Sequence, residues 1–167
     1  TQSSGAHDRS PVWSPDGRDI AWLSDASGEY QLMIAEQTGV TKPRAIALPS
    51  KAFFSAPAWS PDGKKIAVVR LPMGAAWGSA RLYTMNTDGT GLVMLTDGWL
   101  GDAEPAWSPD GTKLTFTCRS GFPDYRDICI VNADGTDRKG IVTSPGAQAN
   151  PSFSRDGTRI IFESFAS

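Results

Sequence analysis

Pro11–Trp22 reads PVWSPDGRDIAW, and the phrase returns as PAWSPDGKKIAV from Pro57, PAWSPDGTKLTF from Pro105 and PSFSRDGTRIIF from Pro151. The steps between copies are 46, 48 and 46 residues. A period in the forties in a β-rich chain marks a propeller, with each repeat forming one four-stranded blade. The turn inside the phrase explains why it can close a hairpin. In Ser14-Pro15-Asp16-Gly17, proline pre-sets the φ of a type I turn and aspartate can bond nearby backbone N–H groups. Glycine then takes the positive φ that ends the turn. Ser60-Pro61-Asp62-Gly63 and Ser108-Pro109-Asp110-Gly111 repeat it, and Ser154-Arg155-Asp156-Gly157 keeps Asp-Gly without the proline.

Working outward, Pro-x-Trp-Ser is expected as a short strand, paired with Ile20–Ser24, Ile66–Arg70, Leu114–Cys118 and Ile160–Ser164. Third strands follow at Gln31–Ala35, Arg81–Met85 and Asp127–Val131, and fourth strands at Ala45–Leu48, Leu92–Leu95 and Gly140–Val142. Runs such as Ile-Ala-Trp-Leu are apolar on both faces, as sheets sandwiched between other sheets require. The expected fold is therefore an all-β propeller of antiparallel four-stranded blades. One propeller segment, 1–167, holds blades at about 11–50, 57–97 and 105–145 and a half blade at 151–165. Residues 1–10 are expected as the loop leading into the first strand.

Trp13, Trp59, Trp107 and Phe153 share one phase of the repeat and are read as blade-packing residues. Asp16, Gly17, Asp62, Gly63, Asp110, Gly111, Asp156 and Gly157 are read as the structural turn set, with no metal role. The 167 residues carry a formal charge of −2 and are 40% hydrophobic. That balance offers no basic field for nucleic acid and excludes disorder. No apolar run nears the roughly 20 residues of a spanning helix, so no membrane insertion is expected. Cys118 and Cys129 fall on neighbouring antiparallel strands. Free buried thiols are the first expectation and a cross-strand disulfide the alternative, with register deciding.

The pattern Pro-x-Trp-Ser-Pro-Asp-Gly, followed by Ile-Ala and later Asp-Gly-Thr, resembles the TolB-type WD-like β-propeller repeat along essentially the whole chain. That resemblance implies a closed ring with more blades than are present, so the chain is expected to be a fragment of a longer propeller or a homo-oligomer. It also implies a periplasmic or secreted location. The repeat serves several functions in its relatives, so function must come from the site.

Chemistry is sparse. There is no Gly-x-Ser-x-Gly nucleophile, one histidine (His7), and no phosphate-binding loop, so neither catalysis nor a cofactor is expected. Strand order places every Asp-Gly turn at one end and the longer, variable connections at the other, where binding residues concentrate. Phe54, Trp77, Trp99, Phe122 and Tyr125, with Asp102, Glu104 and Asn150, are the candidate ligand contacts. The aromatics are expected to be more exposed than Trp13, Trp59 and Trp107. The expected function is a non-catalytic scaffold for a protein or peptide partner. A carbohydrate-binding propeller and the regulatory propeller of a prolyl-oligopeptidase-like hydrolase are the alternatives.

Overall fold

The computed structural model describes residues 5–46, 52–97, 101–119, 126–143 and 146–165. Blade one runs β1 (Asp8–Trp13), β2 (Asp19–Ser24), β3 (Gln31–Glu36) and β4 (Arg44–Ile46). Blade two is β5 (Ala52–Trp59), β6 (Lys65–Pro72), β7 (Arg81–Asn86) and β8 (Val93–Met94). Blade three is β9 (Ala103–Trp107), β10 (Lys113–Arg119), β11 (Arg126–Asn132) and β12 (Lys139–Val142). A two-stranded sheet, β13 (Ala147–Phe153) and β14 (Ile160–Phe165), stands where a fourth blade begins. Each sheet is an antiparallel meander in chain order, three of four strands and one of two. The middle strands are buried through both faces, as in Ile66–Val69 and Leu114–Cys118.

The first strands correct the sequence reading. They begin upstream of the prolines, so residues 8–10 belong to β1 rather than to a leading loop. Each contains one extra residue. Ser55 faces Val69 and Ala58 faces Ala67, three steps on β5 against two on β6. The same shift recurs in β1, β9 and β13. At each bulge the residue before proline takes positive φ: Ser10 54°, Ala56 49°, Glu104 53° and Asn150 52°. A left-handed non-glycine residue costs on the order of 1–2 kcal/mol, so its recurrence in every copy calls for a structural reason. Side chains five apart on a regular strand point to opposite faces. The extra residue turns Phe54 and Trp59 to the same side, where both pack against blade one.

Blades are joined by a repeated contact. Trp59 Nε1 donates to the Val12 carbonyl at 3.3 Å, and Trp107 Nε1 to the Ala58 carbonyl at 3.0 Å. Each tryptophan thus anchors its blade to the inner strand of the one before. Trp13 has the same phase but no described blade before it, and is 58% exposed. The expectation that all three tryptophans are enclosed is therefore corrected for Trp13. The turns stack as well: a Cβ on Gly111, which holds φ at 71°, would stand 3.2 Å from Pro61 of the preceding blade.

Cys118 and Cys129 form a disulfide with Cα atoms 5.8 Å apart, which corrects the expectation of free thiols. Cys118 is opposite Asp127 and Cys129 opposite Phe116, so the two cysteines are diagonal neighbours on one face.

Candidate functional site

The two ends of the blades differ in what their side chains are free to do. At the tight-turn end the hydrogen bonds close on themselves. Ser108 Oγ donates to Asp110 at 2.6 Å and accepts from the Lys113 N–H at 2.9 Å, while the Thr112 N–H bonds Asp110 at 3.0 Å. Ser14, Ser60 and Ser154 make the same set with Asp16, Asp62 and Asp156. These bonds to the charged form hold all four aspartates below their usual range, Asp110 and Asp156 at about 2, with the serine hydroxyl the largest cause. The carboxylates are used up in turn geometry.

At the long-loop end, two clefts open between neighbouring blades. The first, about 370 Å³ between blades two and three, is lined by Ser55, Asp102, Glu104, Thr117, Arg119 and Arg126, with Val69 in its floor. The second, about 420 Å³ between blades one and two, is lined by Arg9, Tyr30, Phe53, Leu71 and Ala75. Ser55 and Val69 line both, so the clefts adjoin at blade two, and the pair is called the trough below.

The sequence candidates divide within this frame. Glu104 stands in the first cleft, where Oε2 accepts from Thr117 Oγ1 at 2.7 Å and from the Asn150 N–H at 2.9 Å. Asn150 is exposed on β13, so this carboxylate ties the third blade to the two-stranded sheet. Asp102 reaches the same cleft but is 3% exposed. It accepts from the Thr96 hydroxyl and pairs with Arg138 at 3.4 Å. Burial raises its carboxyl despite these partners. Phe54 is corrected: it is 2% exposed and belongs to the core between blades one and two, packing there rather than projecting as a ligand anchor. Trp77 opens a short 3₁₀ turn, Trp77–Ser79; its side chain lies outside the described residues, as do Trp99, Phe122 and Tyr125.

Sequence reasoning left out two residues that the cleft brings forward. Arg119 and Arg126 are direct partners across β10 and β11. The signal was available in the hairpin register. Arg9, in the second cleft, is a third. Its guanidinium lies 3.8 Å over the Tyr30 ring and donates to the Phe54 carbonyl at 3.2 Å. His7, 81% exposed, is held at the same end by Asp25 at 3.0 Å.

A blade built on Ser-x-Asp-Gly turns and tryptophan-to-carbonyl anchors is the mark of one propeller class. The model of the TolB β-propeller domain matches residues 2–125, and the chain belongs to this family. TolB from Acinetobacter baumannii superposes with a TM-score of 0.79 at 24% identity, over 96% of this chain and 38% of that one. A putative TolB from Agrobacterium tumefaciens gives 0.69 at 21%, over 98% and 72%. An oligogalacturonate lyase from Vibrio parahaemolyticus gives 0.74 at 17%, over 99% and 49%. At these identities the likeness is one of fold, and the chain spans well under half of the Acinetobacter protein. A comparison with curated protein sequences finds no match.

Proposed function

We propose that this chain is a non-catalytic propeller scaffold that binds a protein or peptide partner through its long-loop end. The observation that carries the reading is the pair of neighbouring clefts that share Ser55 and Val69 in their linings. Two adjoining clefts of mixed lining suit a chain molecule better than a small substrate, which favours an enclosed pocket. The family supports a periplasmic or secreted location, and a disulfide is at home in an oxidising compartment. Carbohydrate binding and a regulatory role beside a hydrolase domain are the competing readings. Selecting peptides from a displayed library on the folded protein tests the proposal, with Ser55→Arg placed to obstruct the trough. Selected peptides should lose binding to that variant while its urea midpoint stays put. Equal binding to the variant would move the site elsewhere.

A homo-oligomer is the second part of the proposal. Trp13 on blade one and Ile161, Phe162 and Phe165 on β14 leave apolar side chains exposed at opposite ends of the blade row. A blade of the same repeat in a second copy is the surface these residues are shaped to meet, since each internal junction repeats the same tryptophan contact. Light scattering across a concentration series should give a mass above that of one chain, reduced by Trp13→Glu. A monomer at every concentration contradicts this part.

A further inference from the structure

Among the described residues, the cleft between blades one and two has a single charged lining residue, Arg9. Two contacts fix its side chain. The guanidinium lies 3.8 Å over the Tyr30 ring, and Nη2 donates to the Phe54 carbonyl at 3.2 Å. No described carboxylate pairs with it: Asp8, beside it in the chain, accepts from Trp22 Nε1, and Asp25 holds His7. The carbonyl that Arg9 holds belongs to the strand that supplies the apolar wall. Phe53, 44% exposed, precedes Phe54 and is paired with Leu71 of β6, and Val69 and Ala75 complete the wall. An oriented cation therefore sits beside an apolar hollow of about 420 Å³, a volume ordinary for a ligand cleft.

That juxtaposition selects a ligand whose carboxylate and apolar group are close together. Along an extended peptide, neighbouring side chains point to opposite faces, and those on one face are about 7 Å apart. Only the C-terminal residue carries a carboxylate and an apolar side chain on one Cα, about 2.5 Å from each other. We infer that this cleft captures the C-terminus of a peptide that ends in a bulky apolar residue. The α-carboxylate accepts from the guanidinium edge that the Phe54 carbonyl leaves open, a charge-assisted contact. The terminal side chain covers Phe53 and Leu71. Stacking on Tyr30 holds the guanidinium plane before the peptide arrives, which lowers the ordering cost of binding. A uronic acid offers the carboxylate, but its hydroxyls would face the apolar wall unpaired. This inference rests on the long-loop end being the binding face.

The probe is a fluorescein-labelled glycine–serine peptide ending in leucine with a free carboxyl terminus, compared with its C-terminal amide by anisotropy at low and high salt. Saturable binding of the free acid is expected, weakened by salt. The amide should bind about tenfold more weakly, and a peptide ending in alanine about fivefold. Arg9→Ala should abolish the preference for acid over amide, and Arg9→Lys should keep part of it. Phe53→Ala should cost about fivefold with an unchanged urea midpoint. The amide comparison uses the unaltered protein, so it decides the matter even where Arg9→Ala loosens β1. The inference is overturned if the acid does not bind, if the amide binds as well, or if Arg9→Ala keeps the full preference. It also falls if laurate or a uronic-acid oligosaccharide competes more strongly than the unlabelled peptide. If library-selected peptides lose binding to Ser55→Arg while the acid binds no better than its amide, the binding face stands and this inference alone fails.

Discussion

At the tight-turn end, the three blades and the two-stranded sheet repeat one hydrogen-bond set around Ser14, Ser60, Ser108 and Ser154. At the other end of the same strands, one cleft is lined by arginines and carboxylates and its neighbour by aromatic and aliphatic walls. The contrast teaches where each kind of residue is spent. Repetition fixes turn geometry and blade spacing, and a group already holding three bonds has little left to offer a ligand. The unrepeated end keeps polar groups facing open volume.

The largest expected effect tests whether the repeated end carries stability. Trp107→Ala removes a half-buried indole packed against the core and its bond to the Ala58 carbonyl, and should cost about 3 kcal/mol in urea unfolding. Trp13→Ala, the same change at the exposed first blade, should stay within about 0.5 kcal/mol in a monomeric sample. Equal losses at both positions would mean that the tryptophans act within their own blades and not between them.

Next in size is the disulfide, the exception to the contrast, since it is a stabilising device at the variable end. Cys118 and Cys129 close a loop of sequence separation 11, for which chain entropy gives about 2–3 kcal/mol. Reduction should lower the urea midpoint accordingly, and should also weaken ligand binding, because Cys118 lines the first cleft. A midpoint indifferent to reductant would show that the bridge constrains nothing beyond the pairing of β10 and β11.

Acid titration separates the ends more gently. Asp110 and Asp156 ionise at about 2 in the fold against an ordinary value of 3.8. Their contribution is complete above about pH 4 and is lost as pH falls towards 2. Asp102 has the opposite sign: burial raises it, so its protonation on acidification favours the folded state. Asp110→Ala should flatten the loss of stability between pH 4 and about 2, read as the urea midpoint against pH. An unchanged slope would remove the turn aspartates from the account.

The sequence disclosed whichever features rest on local chemistry. Ser-Pro-Asp-Gly dictates a turn by itself, and four copies at a steady period dictate blades. The bulge was hidden because its left-handed residue is Ser10, Ala56, Glu104 or Asn150, with no glycine to announce it. Missing the bulge put Phe54 in a loop. Set in columns, Asp8, Phe54, Asp102 and Gln148 fall three before the prolines, and the last three are buried. That column signals a core-facing position. Trp13 and Trp59 both open the run Trp-Ser-Pro-Asp-Gly, and the neighbouring blade decides their exposure. The trough could not be read at all, since it forms between blades from residues such as Ser55 and Arg126 that are far apart in the chain.

The dissociation constant of a library-selected peptide, measured for Ser55→Arg and Asp110→Ala beside the unaltered protein, tests the division between the two ends most directly. The account predicts about a tenfold loss or more for Ser55→Arg and no change for Asp110→Ala at neutral pH, where the latter remains folded. Equal weakening by both, or a loss confined to Asp110→Ala, would contradict it.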